Sequence, residues 1–225
     1  MNSLVSVIIP VFNGDRYLAE AIDSVFAQTY KPIEIIVIND GSKDKSADVV
    51  KNYGCRICYA EQENGGTSLA RNHGIKISTG EFVAFLDADD LWLEEKIDLQ
   101  MQLLQKNSIL DGVFGQVQQF ISPELDDSIK AKIHCPNRQM VGTIPSTLLI
   151  KKSAFKKIGD FNSSYAIGEF IDWYARAMDA KLQITNISSL VTLRRLHSNN
   201  KGITLTPQIN DYTKLLKAIL DRRRQ

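Results

Sequence analysis

Apolar and polar positions alternate along the first 90 residues in the manner of strands and helices. Four runs are mainly apolar and bounded by turn residues, as is typical of buried strands; they cover residues 5–11, 34–38, 56–60 and 82–86. Apolar residues at helical spacing lie between these runs and predict helices over residues 18–26, about 44–52 and 67–78. This order predicts an α/β fold with a mainly parallel, Rossmann-like sheet and helices on both faces.

The second half of the chain is less regular. It predicts an amphipathic helix over 93–106, a strand over 112–120 and a mobile loop over 122–138. Short elements follow near residues 147–155, then a helix over 169–180, strands near Leu182 and Val191, and a last helix over 211–220. We find no internal repeat and no low-complexity linker, so we expect one domain.

Polar clusters follow three of the predicted strands, at the point where each strand ends. They are Asn13-Gly14, the segment 39–42 and the segment 87–90. Ligands of open parallel sheets bind beyond the carboxyl ends of the strands. The sequence therefore predicts a binding site at this edge of the sheet.

Asp87 and Asp89 are the first candidates for chemistry. Two residues apart at the end of a strand, they would point to the same side of an extended backbone. Paired carboxylates repel each other unless a cation neutralises them, and a divalent ion shared with a diphosphate is a common solution. An ordinary acidic turn that caps the next helix explains the same spacing equally well.

Asp40 and Arg71 add to this set, again with two interpretations each. Asp40 can accept a hydrogen bond from a nucleobase or a ribose, or it can cap the next helix. Arg71 follows Asn64-Gly65-Gly66 on a predicted helix and suits phosphate or carboxylate groups, or it pairs with a nearby glutamate on the surface.

Composition narrows the possible partners and the compartment. The formal net charge is +1, which gives no reason to expect nucleic acid. The run Arg222-Arg223-Arg224 is the one basic cluster; a solvated helix end accounts for it better than a peripheral membrane contact, which stays open. No apolar run is long enough to span a bilayer, no signal peptide is visible, and the 3 cysteines are an odd number, so we expect a cytoplasmic protein.

Four ordered motifs resemble those of the family 2 glycosyltransferases. They read VSVIIPVFN (5–13), NDGS (39–42), NGG through ARN (64–72) and LDADD (86–90). Weaker matches continue at residues 159–161, 168–169 and 195–197, so the resemblance covers nearly the whole chain. It implies a GT-A fold over residues 1–225, with a nucleotide-binding half (1–90) and an acceptor-binding half (91–225).

The resemblance also implies a reaction. The donor would be a nucleotide-diphospho-sugar, a UDP-sugar in preference to a GDP- or dTDP-sugar, and the sugar would pass with inversion to a hydroxyl of a glycan, a lipid-linked or a small-molecule acceptor. A divalent metal, Mn²⁺ or Mg²⁺, would assist. Family members build surface polysaccharides, among other products.

Carried over by position, the nucleotide-sugar would contact a set of seven residues. They are Pro10, Phe12, Asn13, Asp40, Arg71, Asp87 and Ala88. Pro10 and its neighbours would line the nucleobase pocket, Asp40 would hold the uracil-type ring, and Asp87 would lie by the ribose. Asp89 would ligate the metal, and His197 would approach the metal or the diphosphate; a packed, satisfied histidine is as good an interpretation of His197.

The general base is where the chain departs from the family pattern. The family has Glu-Asp followed by an arginine on a helix, whereas here Phe170 follows Glu169 and only Arg176 keeps its place. Glu169 is the first candidate for the base and Asp172, nearly one turn later, the second. A non-catalytic nucleotide-sugar-binding homologue is the alternative that the missing aspartate keeps open. The change of the family's first Asp to Asn39 matters less, because Asp40 is retained.

Overall fold

Nine strands form one sheet in the computed structural model, which describes residues 2–165, 167–198, 200 and 209–224. Within these ranges the strands are β1 Val5–Val11, β2 Ile33–Asn39, β3 Cys58–Glu61, β4 Phe82–Phe85, β5 Leu91–Trp92, β6 Gly112–Ile121, β7 Gln139–Val141, β8 Leu149–Lys151 and β9 Ile184–Leu196. The α-helices are α1 Asp15–Phe26, α2 Ser46–Lys51, α3 Thr67–Ile77, α4 Lys96–Lys106, α5 Asp127–Lys130, α6 Lys152–Ile158, α7 Glu169–Asp179 and α8 Ile209–Arg224. Two 3₁₀ turns, Gly54–Arg56 and Pro145–Thr147, complete the described elements.

The sheet order is β3-β2-β1-β4-β8-β6-β9-β5, and β7 pairs with β6. The first four strands run parallel to one another, as the alternation of strands and helices predicts. β8 is antiparallel to both β4 and β6, β6 and β9 are parallel, and β5 and β7 are antiparallel edges. The predicted α/β fold is confirmed, with a sheet that becomes mixed in its second half.

Helices cover both faces of the sheet, which explains why β1 is apolar at almost every position. Alternate residues of β1, from Val5 to Val11, pack with α1 and α4 in one core. Ile8 points the other way and packs with α3, α6 and α7 in a second core. The polar clusters that follow β1, β2 and β4 lie beyond these strands, at the carboxyl edge of the sheet.

Glu34, near the amino end of β2, connects β2 to β1 and to the residues before β4. Its carboxylate accepts hydrogen bonds from the hydroxyl of Ser6 in β1 and from Thr79 and Gly80, which precede β4. Burial works against the charge on this carboxyl group, but the hydrogen bonds outweigh it and lower the pKa of Glu34.

Lys96 is a fully buried lysine at the start of α4. Its amino group donates to Gln100 Oε1 at 2.7 Å and lies 4.2 Å from the centre of the Trp92 ring. Burial holds the pKa of Lys96 well below its usual range.

The second half differs from the prediction at several boundaries. The helix predicted over 93–106 begins at Lys96, because residues 93–95 form a turn after the two-residue strand β5, which pairs with β9. The two strands predicted near Leu182 and Val191 are one long strand, β9. The segment predicted as a mobile loop over 122–138 contains α5.

α8 packs against α7 through Leu215 and Ile219, which meet Ala175 and Tyr165. In the part of the chain that the structure describes, no helix is both long and apolar enough to cross a bilayer.

Candidate active site

The segment after β4 forms a tight turn, not the extended strand end that the sequence led us to expect. The amide of Asp90 donates to the carbonyl of Asp87 at 3.0 Å, which closes the turn over residues 87–90. The carboxylates of Asp87 and Asp89 consequently bind different partners, and they do not act as a pair on one side of the backbone.

Arg71 joins Asp87 to Glu169. Its Nη2 donates to Asp87 Oδ1 at 2.6 Å and its Nη1 donates to Glu169 Oε1 at 2.7 Å. The arginine is 3% exposed, so both ion pairs are shielded on the side of the cation. One guanidinium from α3 therefore holds the acidic turn after β4 and the first turn of α7 together.

The guanidinium of Arg71 stays protonated although it is buried. Burial opposes the charge, but the carboxylates of Asp87 and Glu169 outweigh it and raise the pKa of Arg71. Its Nε is buried and has no hydrogen-bond partner among the described residues. The guanidinium lies 5.8 Å from the centre of the Phe161 ring, which limits where it can move.

Asp89 meets His197 at the opposite side of the turn. Asp89 Oδ2 lies 3.0 Å from His197 Nε2 and accepts a hydrogen bond from Asn200 Nδ2 at 3.1 Å. The two side chains are 108 residues apart in sequence, and both were predicted as metal-binding residues.

A carboxylate oxygen and an imidazole nitrogen are suitable donors for Mn²⁺, the divalent ion that the family resemblance implies. Over the described ranges, no group of three or more His, Cys, Asp and Glu side chains could hold a metal. The pair fits an ion whose other ligands come from a diphosphate and water, which is the usual way such ions bind at phosphate sites.

Buried groups fix the position of Asp89 from behind, a role that the sequence alone did not predict. Arg195 Nε donates to the Asp89 carbonyl at 3.0 Å, and the backbone amide of Arg195 donates to Asp90 Oδ1 at 3.2 Å. Ser146 Oγ donates to Asp90 Oδ2 at 2.9 Å. Burial, with the neighbouring Asp89 and Asp87, raises the pKa of Asp90 well above its usual range. The motif Arg-Leu-His at 195–197 was the one sequence signal for this support.

Asp40 organises the loop between β3 and α3. Its Oδ1 accepts from Gln62 Nε2 at 2.8 Å and from the Gly65 amide at 2.9 Å, and its Oδ2 accepts from the Gly66 amide at 2.8 Å. The φ angle of Gly66 is 90°, a conformation that favours glycine and here accompanies two successive amides directed at the carboxylate. A weaker contact of 3.4 Å from Asn64 leaves Asp40 with little free acceptor capacity.

A cavity of about 500 Å³ opens beside Asp40. It is lined by residues from the loops after β2 and β3, namely Gly41, Lys43, Glu61, Gln62, Glu63 and Asn64. The cavity lies at the carboxyl edge of the sheet, where the polar clusters predict a binding site.

The residues after β1 lie close to the same edge. Asn13 has a positive φ of 50°, its amide donates to Ser42 Oγ at 2.9 Å, and its Oδ1 accepts from the Lys43 amide at 2.8 Å. Pro10 is buried within β1, whereas the ring of Phe12 is 52% exposed. A Cβ on Gly14 would lie 3.6 Å from that of Ala88, so the loops after β1 and β4 are neighbours.

The two candidates for the general base lie in different surroundings. Glu169 faces Arg71, and its side chain is 16% exposed. Asp172 instead accepts from Arg176 Nε at 2.8 Å and from Arg222 Nη1 at 3.4 Å, and it is 5% exposed. The structure thus brings Glu169 to the acidic turn and ties Asp172 to the ion pairs between α7 and α8.

Phe170 and Trp173 belong to the core. The Trp173 ring is fully buried, with its centre 4.8 Å from that of Phe155 and 6.1 Å from that of Phe170. Trp173 therefore offers no surface on which a sugar could stack.

The segment after β6 is anchored close to His197. Glu124 accepts hydrogen bonds from the hydroxyls of Tyr17 and Ser122, and the Tyr17 ring lies 4.9 Å from that of His197. Although burial works against the charge, these hydrogen bonds lower the pKa of Glu124 to about 2.

A mixed α/β sheet with an acidic turn after β4, and with a carboxylate–imidazole pair beside it, defines a glycosyltransferase of the GT-A type. The chain belongs to glycosyl transferase family 2, whose model matches residues 6–161. It is 36% identical over 237 residues to the uncharacterized glycosyltransferase RT0329 of Rickettsia typhi, covering 97% of this chain and 72% of that protein. The predicted family and enzyme class are confirmed.

Solved structures share the fold at low sequence identity. S. aureus TarS 1–349 in complex with UDP-GlcNAc has a TM-score of 0.75 and 20% identity, covering 96% of this chain and 65% of that one. The mannosyltransferase PcManGT from Pyrobaculum calidifontis, in complex with GDP-Man and Mn²⁺, has a TM-score of 0.66 and 16% identity over 89% of this chain and 59% of that one. This chain thus spans less than two thirds of each of these solved chains.

Proposed function

We propose that this protein is an inverting, metal-dependent transferase that moves a sugar from a UDP-sugar to an acceptor hydroxyl. The observation that carries the proposal is the meeting of Asp89 with His197 at the end of the turn that also holds Asp87. A nucleoside diphosphate is the leaving group of such a reaction, and this pair is where its charge can be met.

The donor would extend from the cavity beside Asp40 to the acidic turn. The nucleobase would occupy the cavity, near Pro10, Phe12 and Asn13, and the loop that Asp40 organises would form part of its wall. Asp87 and Ala88 would adjoin the ribose. In this proposal Arg71 acts on the donor through Asp87, because both its Nη atoms already bind carboxylates.

Asp89 and His197 would hold the Mn²⁺ or Mg²⁺ ion together with the diphosphate. When bound, the ion neutralises the charge that develops on the departing diphosphate. Arg195 keeps the Asp89 backbone in place through its hydrogen bond to the carbonyl.

Glu169 is the general base in this proposal. Arg71 occupies its Oε1, and the described residues place no hydrogen bond on its Oε2, which is free to take the proton of the acceptor hydroxyl. As the proton moves to Glu169, the hydroxyl oxygen bonds to the anomeric carbon and the bond from that carbon to the diphosphate breaks. Asp172 is the second candidate, held back by its ion pairs with Arg176 and Arg222.

Several further features belong to the proposal. Residues 1–90 would form the nucleotide-binding half and 91–225 the acceptor-binding half of one domain. The acceptor would be a glycan, a lipid-linked glycan or a small molecule, and the pathway would be polysaccharide biosynthesis. The protein would act in the cytoplasm, with a peripheral contact to the inner face of the membrane.

A non-catalytic nucleotide-sugar-binding protein is the second candidate function. One observation favours it: Phe170 fills the position of the family's aspartate and lies in the aromatic core, so no carboxylate at that position faces the site. Such a protein would keep the cavity and the Asp89–His197 pair but lack turnover.

The test begins with calorimetric titration of UDP and GDP, each with and without Mn²⁺. Binding of UDP that strengthens with Mn²⁺ supports the donor site, and no binding of either nucleotide by folded protein with metal present overturns the proposal. Release of UDP from a panel of UDP-sugars, with water as acceptor, then separates the two functions. Glu169→Gln should abolish this release and spare UDP binding, whereas Asp172→Asn should leave the release measurable; the reverse pattern would make Asp172 the base.

A further inference from the structure

α8 carries two apolar stripes, and the fold uses one of them. Leu215 and Ile219 face α7 and are buried. Tyr212, Leu216 and Leu220 are spaced four residues apart along a second side of the helix and are 41%, 59% and 52% exposed. Packing among the residues that the structure describes does not explain a stripe of two leucines and a tyrosine on the surface of this helix.

Ile171 of α7 is a further exposed apolar residue close to α8. It is 46% exposed and lies two residues after Glu169, on the opposite side of the helix. Gly168, which precedes α7, and Ala175 contact α8, and the spacing of Ile171 places it next to them. A Cβ on Gly168 would lie 2.9 Å from Leu215 Cδ2 and 3.9 Å from Tyr212 Cε1, so the stripe begins next to the first turn of α7.

The charges around the stripe are mainly positive. Lys217 and Arg224 are exposed and follow Leu216 and Leu220 around the helix, and Asp221 is the exposed acid between them. Arg222 and Arg223 are committed within the protein, because both pair with Asp179, at 3.1 and 2.9 Å. Arg223 stays 54% exposed in its pair, and Arg224, which makes no ion pair with the described residues, supplies the positive flank together with Lys217.

We propose that Ile171, Tyr212, Leu216 and Leu220, flanked by Lys217 and Arg224, form a docking surface for an anionic lipid bilayer; we name these six residues the α8 surface. An apolar stripe beside basic residues is the pattern of helices that lie in the membrane interface, and tyrosine is enriched at that depth. The positive flank complements anionic head groups.

This inference rests on the proposed peripheral membrane contact and names the surface that makes it. Glu169 lies about 200° around α7 from Ile171 and faces Arg71, so docking attaches the protein to the bilayer without turning Glu169 towards the head groups.

Cosedimentation of the full chain with vesicles tests the proposal. Vesicles of phosphatidylcholine alone are compared with vesicles that also contain phosphatidylglycerol, at low and at high salt. We expect binding to the anionic vesicles, weakened by salt, and a loss of at least about tenfold in partitioning for Leu216→Glu combined with Leu220→Glu. Lys217→Ala should reduce partitioning about fivefold on anionic vesicles.

Ile109→Glu is the matched control, because Ile109 is an isoleucine that is 73% exposed and lies outside α7 and α8, in the connection between α4 and β6. It should bind vesicles as the wild type does. UDP titration and thermal unfolding of every variant separate a failed membrane surface from a failed donor site or a misfolded chain. The proposal is overturned if wild-type protein that binds UDP ignores anionic vesicles, or if Ile109→Glu loses as much binding as the double variant. A dimer in light scattering that the double variant disrupts, without vesicle binding, would instead assign the surface to a second copy of the chain.

Discussion

Replacing Arg71 by methionine removes a buried cation and keeps a side chain of similar length. Two carboxylates then lose their common partner, and removal of one member of a buried ion pair costs about 3–5 kcal/mol. The side chains of Asp87 and Glu169 are 38% and 16% exposed, so water can replace part of what is lost. We therefore expect a loss of about 2–3 kcal/mol in the free energy of unfolding, which lowers the Tm of a chain of this size by about 5–10 °C.

The effect on the rate should be about as large in free energy as the effect on stability, because a 100-fold loss of rate corresponds to about 2.7 kcal/mol. Without Arg71, neither the turn with Asp87 nor the first turn of α7 is held in register, and a misplacement of about 1 Å can cost about 100-fold in rate. In Arg71→Met, the kcat for UDP release from the UDP-sugar that the wild type hydrolyses should thus fall about 100-fold. The change in UDP affinity, measured by calorimetry, should be smaller. Arg71→Lys keeps the charge but lacks the planar guanidinium with its two parallel donors, so its kcat should lie between those of the wild type and Arg71→Met.

Arg56→Met is the control for Arg71, because Arg56 is an exposed arginine that stacks over Phe26 and Tyr53. Its UDP affinity and UDP release should match those of the wild type. Wild-type Tm, UDP affinity and kcat in Arg71→Met would refute the idea that this guanidinium couples the donor side to the general base.

Three further predictions concern the metal, the partly buried Glu34 and the buried Lys96. Asp89→Asn and His197→Ala should remove the Mn²⁺-dependent part of UDP affinity in calorimetry and leave the metal-independent part, and full Mn²⁺ dependence in either variant contradicts the assignment. Because the pKa of Glu34 is lowered in the folded state, Glu34→Gln should cost about 1 kcal/mol in urea unfolding at neutral pH, and the difference should vanish as the pH falls from about 4.3 through the folded-state pKa. Because the pKa of Lys96 is lowered in the folded state, unfolding takes up a proton, and the free energy of unfolding of the wild type should rise by up to about 1.4 kcal/mol per pH unit towards pH 10. Lys96→Met should abolish that rise. Equal slopes in the wild type and the variant would show that Lys96 is charged in the folded state.

Strand positions in the first half could be predicted because their pattern is local. β1 is a continuous apolar run closed by Asn13-Gly14, and the structure gives it the same bounds, Val5–Val11. β5, by contrast, is only two residues long and exists because it pairs with Leu193 and Thr192, about 100 residues later. No pattern within a window of the sequence can indicate such a pairing.

The same distinction applies to the site. Its location followed from the polar strand ends, and the motif resemblance led to Asp89 and His197, which lie 3.0 Å apart. Spacing could not show that the backbone turns after Asp87, nor which carboxylates Arg71 would hold. These contacts join α3, β4 and α7, and only the folded chain brings the three together.

Phe170 shows why the family's aspartate cannot simply be restored. Successive residues of a helix are about 100° apart, so when Glu169 faces Arg71, residue 170 must face elsewhere. Phe170 packs edge-on against Phe114 with ring centres 6.2 Å apart and is 6% exposed. An aspartate there would bury a charge among aromatic rings, so Phe170→Asp should cost at least about 3–5 kcal/mol of stability and gain no UDP release. Thermal unfolding and the UDP-sugar panel measure both effects. A stable Phe170→Asp protein with faster UDP release would mean that α7 presents residue 170, rather than Glu169, to the acceptor.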